Sequence, residues 1–484
     1  MGTINSAFSL ISGALDADQS ALSIVANNVA NANTTGYTQE TPNWQENSPV
    51  EIGGISCGSG VTETGATSVR DRVLEERLNQ QQQLASASGS RLAALDTLQT
   101  LFTPDSGSTS SAAGDIGSDL TSFFSSFSSL EANPTDNALR QQVLSTATTL
   151  AGDLSNAAAS VNAQRSALDQ EAAGVTSQVN ALTGAIAQLN QQIESTSPDA
   201  DAGTLEDQRQ QDLSQLSQLI GINQITTENN GLSITTTSGQ LLVSQGSSYQ
   251  LTSGTVGGVT DFFVGTENVT AGLTSGGGKL GGYLTARDQD IPGVLSSLDA
   301  LAYNVSTAVN SQNNAGTDLE GNTGVAVPPS VVATSLNIFS APPNLATGSA
   351  VGSAASMSVV MSDPNQVSAA ALGQGTGDNA NATAMAELAN QLIVGGQTPT
   401  DYYSNFVTTL GSTVSAVQTE NTAQNASVTQ LQTQNNALSS VNLNDEASAM
   451  QQFEKSYQAA SQVFTILNTI MASALNLGDQ TAVS

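Results

Sequence analysis

Between Ile4 and Val29 apolar side chains recur at Ile4, Phe8, Ile11, Leu15, Leu22, Val25 and Val29, in steps of three and four, with only Asp18 breaking the row. A seven-residue hydrophobic repeat predicts a helix lying along a partner, as in a coiled coil. The same rhythm returns at the far end in Met450, Phe453, Tyr457, Ala460, Phe464, Leu467, Met471 and Ala474. Neither helix has enough surface of its own to hide its row. The two ends are therefore expected to pair with each other and with neighbouring copies, and the rest of the chain to hang from that pair.

After Val29 comes Ala30-Asn31-Ala32-Asn33-Thr34-Thr35-Gly36-Tyr37. Asparagine tolerates left-handed backbone and Gly36 can take positive φ, so a helix stop and a turn are expected. Asn27 and Asn28 lie inside the helix, where asparagine has weak propensity. Either their amides bond to a neighbouring helix or chain, or they are solvated; spacing leaves both open. Residues 38–68 are rich in Gly, Pro and Thr and predict extended segments and turns. From Val69 the helical rhythm resumes, with Leu74, Leu78, Ala85, Leu92, Leu95 and Phe102 on one register and polar Gln81 and Ser88 between them. A Ser/Gly-rich break at 103–115 precedes helix over Leu120–Leu130 and again after Pro134. The strongest interior row is Leu168, Ala172, Val175, Val179, Leu182, Ile186, Leu189 and Ile193, stopping at Ser197-Pro198. A short helix from Thr204 to Leu219, closed by Gly221, follows. Long helices on short loops predict an antiparallel bundle.

The period changes between Ile222 and Ser275, where Asn229-Asn230-Gly231, Ser238-Gly239 and Gly257-Gly258 punctuate runs at Leu232–Thr237, Gln240–Ser244 and Asp261–Val264. These predict strands and hairpin turns. Helix returns from Gly281 to about Asn313, with Leu295, Leu298, Ala302, Val305 and Val309 on one face; a second β- and loop-rich insertion, 316–373, carries Pro328-Pro329 and Pro342-Pro343. In the last hundred residues Leu410, Val414, Val417, Val428, Leu431 and Leu438 keep one heptad, with Asn421, Gln424 and Asn435 in core slots. Polar residues at such slots weaken a coiled coil but fix its register. Asn442 to Glu446 breaks or re-caps the helix, with Asn444 as N-cap, and the final helix stops at Gly478. The expected fold is mainly α: paired N- and C-terminal coiled-coil helices, a long-helix bundle and small β-rich insertions. The expected division is 1–40 with 441–484 as inner terminal domain; 41–221 with 276–315 and 374–440 as bundle; 222–275 as a small β excursion; 316–373 as an outer insertion.

Composition narrows the chemistry. A chain of 484 residues suggests about three domains. The formal charge of −31, from 41 acidic and 10 basic residues, repels phosphates and argues against nucleic acid or anionic membrane as partner. Charged residues are only 11% of the chain, so solubility rests on Ser, Thr, Asn, Gln and Gly. That leans towards disorder, which the apolar heptads oppose. There is no histidine, and Cys57 is the single cysteine. Neither a Ser-His-Asp or Cys-His nucleophile nor a Cys/His zinc site can be built, nor an internal disulfide. No basic and apolar leader follows Met1-Gly2-Thr3, and no apolar run is long enough to span a bilayer. Gly2 with Ser6 loosely fits a myristoylation pattern, but a buried amphipathic end is the better reading. Gly58-Ser59-Gly60 with Gly65 lacks the spacing of a phosphate loop, and Gly276-Gly277-Gly278-Lys279-Leu280 lacks the Walker Ser/Thr. Asp318, Glu320 and Asn322 alternate as in a calcium loop without its glycine or distal Glu, so a solvated turn is expected. No catalytic residue, cofactor site or metal site is assigned.

The segment Asn27-Asn28-Val29-Ala30-Asn31-Ala32-Asn33-Thr34-Thr35-Gly36-Tyr37 resembles the N-terminal motif of flagellar rod, hook and hook-associated axial proteins. Its motif positions are Asn27, Asn28, Asn31, Asn33, Gly36 and Tyr37. Val441-Asn442-Leu443-Asn444-Asp445-Glu446, followed by Phe453 and Tyr457-Gln458-Ala459-Ala460, is similar to their C-terminal motif. The middle resembles the hook-associated protein 1 family of hook–filament junction proteins. It does so at Leu205-Glu206-Asp207-Gln208-Arg209, at Gly278-Lys279-Leu280-Gly281-Gly282-Tyr283-Leu284 with Arg287-Asp288, and at Leu298-Asp299-Ala300-Leu301-Ala302 through Asn310. Thr35 stands where proline is common, Asn where a histidine often follows Asn310, and no aromatic pair follows Gly324. The resemblance covers about two-thirds of the chain. It implies a non-enzymatic subunit exported through the flagellar type III channel. The partners it implies are copies of itself in a ring or tube, hook protein, the second junction protein and a cytoplasmic export chaperone. Flagellin or another axial protein, and more remotely a wall-cutting enzyme using acids such as Asp288, Asp290 and Asp299, are the rivals.

Overall fold

The computed structural model describes residues 2–52, 55–103, 116–196, 201–227, 230–326 and 334–480. The Ser/Gly-rich break beyond residue 103, Ser197-Pro198, Asn229 and Pro328-Pro329 lie outside them, as do the side chains of Ile4 and Ala474. Helix α1 (Gly2–Asn31) leads into strands β1 (Glu40–Glu46), β2 (Val50–Ile52), β3 (Ile55–Cys57) and β4 (Val61–Ser68). Then come α2 (Arg72–Leu101), α3 (Ile116–Ala132), α4 (Asn137–Thr196) and α5 (Thr204–Leu219). A block of short strands follows: β5 (Ile222–Thr226), β6 (Leu232–Thr236), β7 (Leu241–Ser244), β8 (Ser247–Ser248), β9 (Leu251–Val256), β10 (Val259–Val264) and β11 (Glu267–Asn268). The chain returns to helix in α6 (Thr270–Gly276), α7 (Gly278–Thr285) and α8 (Ile291–Asn314), the last two joined by a π-helical turn over Ala286–Asp290. Beyond β12 (Gly316–Thr317), α9 (Ser353–Ser356), β13 (Ala370–Ala371) and α10 (Ala380–Glu387), the chain ends in α11 (Pro399–Ser439) and α12 (Leu443–Gln480).

The polar slots in the heptads explain how the bundle finds its register. α2 and α11 run antiparallel: Phe102 meets Phe406 edge-on at 5.0 Å, Asn421 donates to the Ala85 carbonyl and to Ser88 Oγ at 3.1 Å, and Gln81 bonds Gln424. A slip by one turn would leave these amides facing leucines, so polar slots select one alignment at some expense in burial. On its other face α2 touches α7. Ser90 Oγ donates to the Lys279 carbonyl at 3.0 Å. A Cβ on Gly282 would fall inside the surface of the Ala87 carbonyl oxygen, so only glycine permits this approach. These two neighbours, together with α5, whose Gln210 reaches Asn79, account for the burial of Asn79, Gln83, Ala94 and Leu98 as well as the heptad residues.

α4 is a single helix of 60 residues, longer than the two signals in the sequence suggested. Val143, Leu150, Leu154 and Val161 are buried along its first half, where α3 and α9 pack on it, and Leu168, Ala172, Val175 and Val179 further on. The aromatic centre is Phe123, within 5.5 Å of Phe127 and Phe339. Asparagines pin the non-helical segments by giving and taking one backbone bond each. Asn180 does so with Leu251 (2.8 Å both ways), Asn310 with Phe339 (2.9 and 3.0 Å).

The β excursion is two antiparallel sheets, of order β5-β6-β7-β8 and β11-β10-β9. Four expectations are corrected. The insertion 316–373 is not β-rich: among its described residues, strand is limited to the two-residue β12–β13 pair and a few isolated bridges, because asparagine side chains from α8 supply the backbone bonds a sheet would have made. Asn442, not Asn444, caps the last helix, its Oδ1 accepting from the Asn444 N–H at 3.0 Å. Helix resumes at Thr270, with α6, instead of Gly281. The β1–β4 hairpin, grouped with the bundle on sequence, packs on α1, where Ser20 bonds Glu63. Asp318 folds a turn as expected but is buried, accepting from the Glu320 and Asn322 N–H groups at 2.9 and 2.7 Å.

Candidate functional site

α1 and α12 lie antiparallel, and the Phe8 and Phe464 rings meet at a tilt of 41°, 4.6 Å between centroids. Of the N-terminal row, Phe8, Ile11, Leu15 and Leu22 are half-buried and Val25 is buried, while Val29 is 39% exposed. The most buried line of α1 runs instead through Ala17, Asp18, Ala21, Ile24, Val25 and Asn28. The reason is a second partner: the β1–β4 hairpin flanks α1 beside α12, so the small residues in the angle between them are covered most. On α12, Met450, Phe453, Ala460, Phe464, Leu467 and Met471 are half-buried, Phe453 edge-on to Trp44 at 5.7 Å, and Tyr457 is exposed. A second apolar row, Val463, Ile466 and Ile470, stands exposed on the flank of the first.

The end of α1 is locked by Asn28, 1% exposed. Its Oδ1 accepts from the Tyr37 hydroxyl at 2.8 Å and the Glu40 N–H at 3.0 Å. Its Nδ2 donates to the Glu40 carbonyl at 2.8 Å and to Glu446 Oε1, at the start of α12, at 3.1 Å. Every hydrogen-bonding position of this amide is filled, which answers the choice left open on sequence. Asn27 donates to Tyr37 at 3.4 Å and receives Asn31 at 2.9 Å, so three motif residues build the turn, with Gly36 at φ +80°. Asn33 and Gly36 are exposed. Gln39 closes the knot, its Nε2 reaching Glu446 at 2.7 Å and its N–H the Ser439 carbonyl at 2.8 Å.

The knot continues into the bundle. The Thr38 N–H donates to Asp207 on α5 at 3.0 Å, Arg70 pairs with Asp207 at 2.7 Å and with Glu206 at 3.6 Å, and Asp201 takes both the N–H and the hydroxyl of Ser68. Burial raises the Tyr37 phenol well above its ordinary value, with Glu40, Asp207 and Glu446 adding to the effect. Burial likewise raises Glu40, reinforced by Asp201 and Asp207. Burial also acts on Asp201, but hydrogen bonds from Gly203 and Ser68 outweigh it and hold that carboxyl low. Sequence reasoning missed Glu40, Asp201, Asp207 and Arg70 as seam residues; no local pattern marks acids whose partners lie on other elements.

The other candidate acids are engaged: Asp288 with Arg287 at 2.7 Å, Asp290 with Arg91 at 2.8 Å, and Asp299 with the Gly352 and Ala354 N–H groups at 2.9 Å. No described helix is long and apolar enough to cross a membrane, and no cluster of three metal-ligating residues occurs among the described residues.

The model of the flagellar hook-associated protein FlgK helical domain matches residues 106–327, and that of the flagella basal body rod protein matches 11–38, the helix and turn built around Asn28. Flagellar hook-associated protein 1 of Salmonella typhimurium and of Escherichia coli K12 are each 26% identical, over 96% of this chain and 98% of theirs. The Bacillus subtilis protein of that name is 26% identical over 96% of each. The solved flagellar hook junction protein FlgK from Burkholderia pseudomallei superposes with a TM-score of 0.62 at 19% identity, covering 74% of this chain and 99% of that one, a likeness of fold. With a rod-type first helix, a hook-associated helical domain behind it and relatives matched over nearly their whole length, the chain is similar throughout to the flagellar hook-associated protein 1 family.

Proposed function

We propose that this chain is a structural subunit of the bacterial flagellum that forms the junction between hook and filament and assembles through α1 and α12. The observation that carries the reading is the surface of α12: one row lies on α1, while Val463, Ile466 and Ile470 beside it face solvent. A row of this length left open on a helix already paired calls for neighbouring copies. The bundle would form the next shell outward and the excursions would face away from the axis. Partners on this reading are copies of the chain in a ring or tube, hook protein on one side, the second junction protein on the other, and a chaperone that grips the C-terminal helix before type III export. The assembled protein stands outside the cell.

The principal alternative is another axial protein: the second junction protein, flagellin or a hook-like subunit. The Asn28 turn and the Arg287-Asp288 pair favour the junction protein over flagellin. Wall cutting needs two free carboxylates roughly 5–9.5 Å apart across a cleft, and the acids singled out for it are held in structural bonds. Deletion of the gene followed by electron microscopy of the cells tests the proposal. It expects hooks without filaments and flagellin shed into the medium; filaments of normal length would overturn it.

A further inference from the structure

Loop 31–38, α2, α5 and the C-terminal end of α11 enclose a cleft of about 460 Å³ beside the Asn28 knot. Its walls are rich in amides, among them Asn79 on α2, Gln210 on α5, and Gln432, Asn435 and Asn436 on α11. Asn79 is 1% exposed; its Oδ1 accepts weakly from Gln210 at 3.4 Å, but its Nδ2 is buried without a partner. The Oδ1 of Asn435, on α11, is also buried and unpartnered. An orphan donor and an orphan acceptor lining one cleft are uncommon in a finished interior, where nearly every buried polar atom is bonded.

We infer that this cleft receives an uncharged main-chain segment from a second copy of the chain. The inference rests on the reading above, that copies assemble through α12, and adds where the bundle takes part. A peptide unit offers a carbonyl for Asn79 and an N–H for Asn435. Two chains of charge −31 repel wherever their acids meet, so contact between copies favours walls where acids are few or neutralised. Here only two carboxylates line the cleft: Asp207, paired with Arg70, and Glu75, which has Arg70 and Arg72 near it. Val441, the residue just ahead of the Asn442 cap of α12, lines the same cleft, so a copy seated on α12 arrives at its rim.

The test compares two sets of variants of the full chain by sedimentation velocity over a concentration series. Asn79→Leu and Asn435→Leu keep volume and remove hydrogen bonding. They are expected to melt at or above the temperature of the parent yet self-associate about tenfold more weakly. Val463→Ser, Ile466→Ser and Ile470→Ser together interrupt the α12 row and report on the underlying reading. Should Asn79→Leu not fold, Gln432→Ala on the wall carries the same expectation. Hydrogen exchange supplies a second readout: backbone amides of 33–38 are expected to slow on association in the parent and not in the cleft variants. Cleft variants that associate like the parent while the α12 variant does not would overturn the inference and leave the assembly reading standing. Undiminished association in both sets would overturn both.

Discussion

Asn28 and Glu446 lie 418 positions apart in the chain, yet the amide of one donates to the carboxylate of the other at 3.1 Å inside the protein. The bond ties the end of α1 to the first turn of α12 and, through Gln39, to the last carbonyls of α11. One side chain thus holds the turn, the paired helices and the bundle in a fixed relation.

Asn28→Leu keeps the volume but leaves Glu446, 3% exposed, with Gln39 alone as amide donor, and removes the partners of the Glu40 N–H and carbonyl. A loss of about 2–3 kcal/mol is expected, confined to the terminal domain. Limited proteolysis should cut near 31–40 and 440–446 much faster than in the parent while the bundle fragment survives. Unchanged cleavage there would show that the knot is not what holds the ends.

The seam should tighten in mild acid. Glu40 titrates above its ordinary 4.5 in the folded chain, chiefly through burial. An acid raised on folding binds its proton more tightly in the native state, so stability is greatest below the unfolded value and falls as pH rises through the window above it. Asp201, lowered, works in the opposite sense, its contribution lost only as pH falls through a value under 3.8. Between about pH 4.5 and neutrality the Glu40 direction therefore governs. Glu40→Gln should flatten the dependence of protease resistance at 31–40 on pH; a slope unchanged from the parent would assign it to Glu75 or Asp207.

Gly282→Ala should be among the most damaging single changes in the bundle, since its Cβ meets backbone on α2 that cannot swing away. Overpacking of this kind costs about 1–3 kcal/mol, read as a lower melting temperature. Gly184 in α4 has open space around it, and Gly184→Ala should raise stability by up to about 1 kcal/mol. Equal effects at the two sites would contradict the packing described.

Asn421→Ala removes two bonds to α2, to the Ala85 carbonyl and Ser88 Oγ. A cost of about 1–2 kcal/mol is expected in thermal unfolding. Asn425→Ala, whose Nδ2 reaches only its own helix and which stands exposed, should cost less than 0.5 kcal/mol on the same measure.

Periodicity carried much of this fold. The helix from Thr204 to Leu219 and the paired rows of Phe8 and Phe464 follow from spacing alone, because one-sided burial imposes a 3.6-residue period. The polar slots at Gln81, Ser88, Asn421 and Gln424 were visible too, though not that they meet one another. What stayed hidden depends on groups far apart in the chain. Whether Asn28 was bonded or wet turned on Glu40 and Glu446, and whether 316–373 formed sheet turned on asparagines of α8 that take the place of a neighbouring strand. The line of greatest burial on α1 moved off the heptad row because a hairpin occupies the adjacent flank, which no property of α1 announces.

The pairing of α1 with α12 also sets a timetable. A chain emerging head first presents its opening helix long before the companion for that helix exists, and α2 waits nearly as long for α11. The segment between can collapse on itself early, α3 against α4 and α4 against α5, since those neighbours follow one another closely. Closure of the two extremities spans almost the entire length and must come last. The Phe8–Phe464 contact and the Asn28–Glu446 bond therefore form only once α12 is free to fold back along α1.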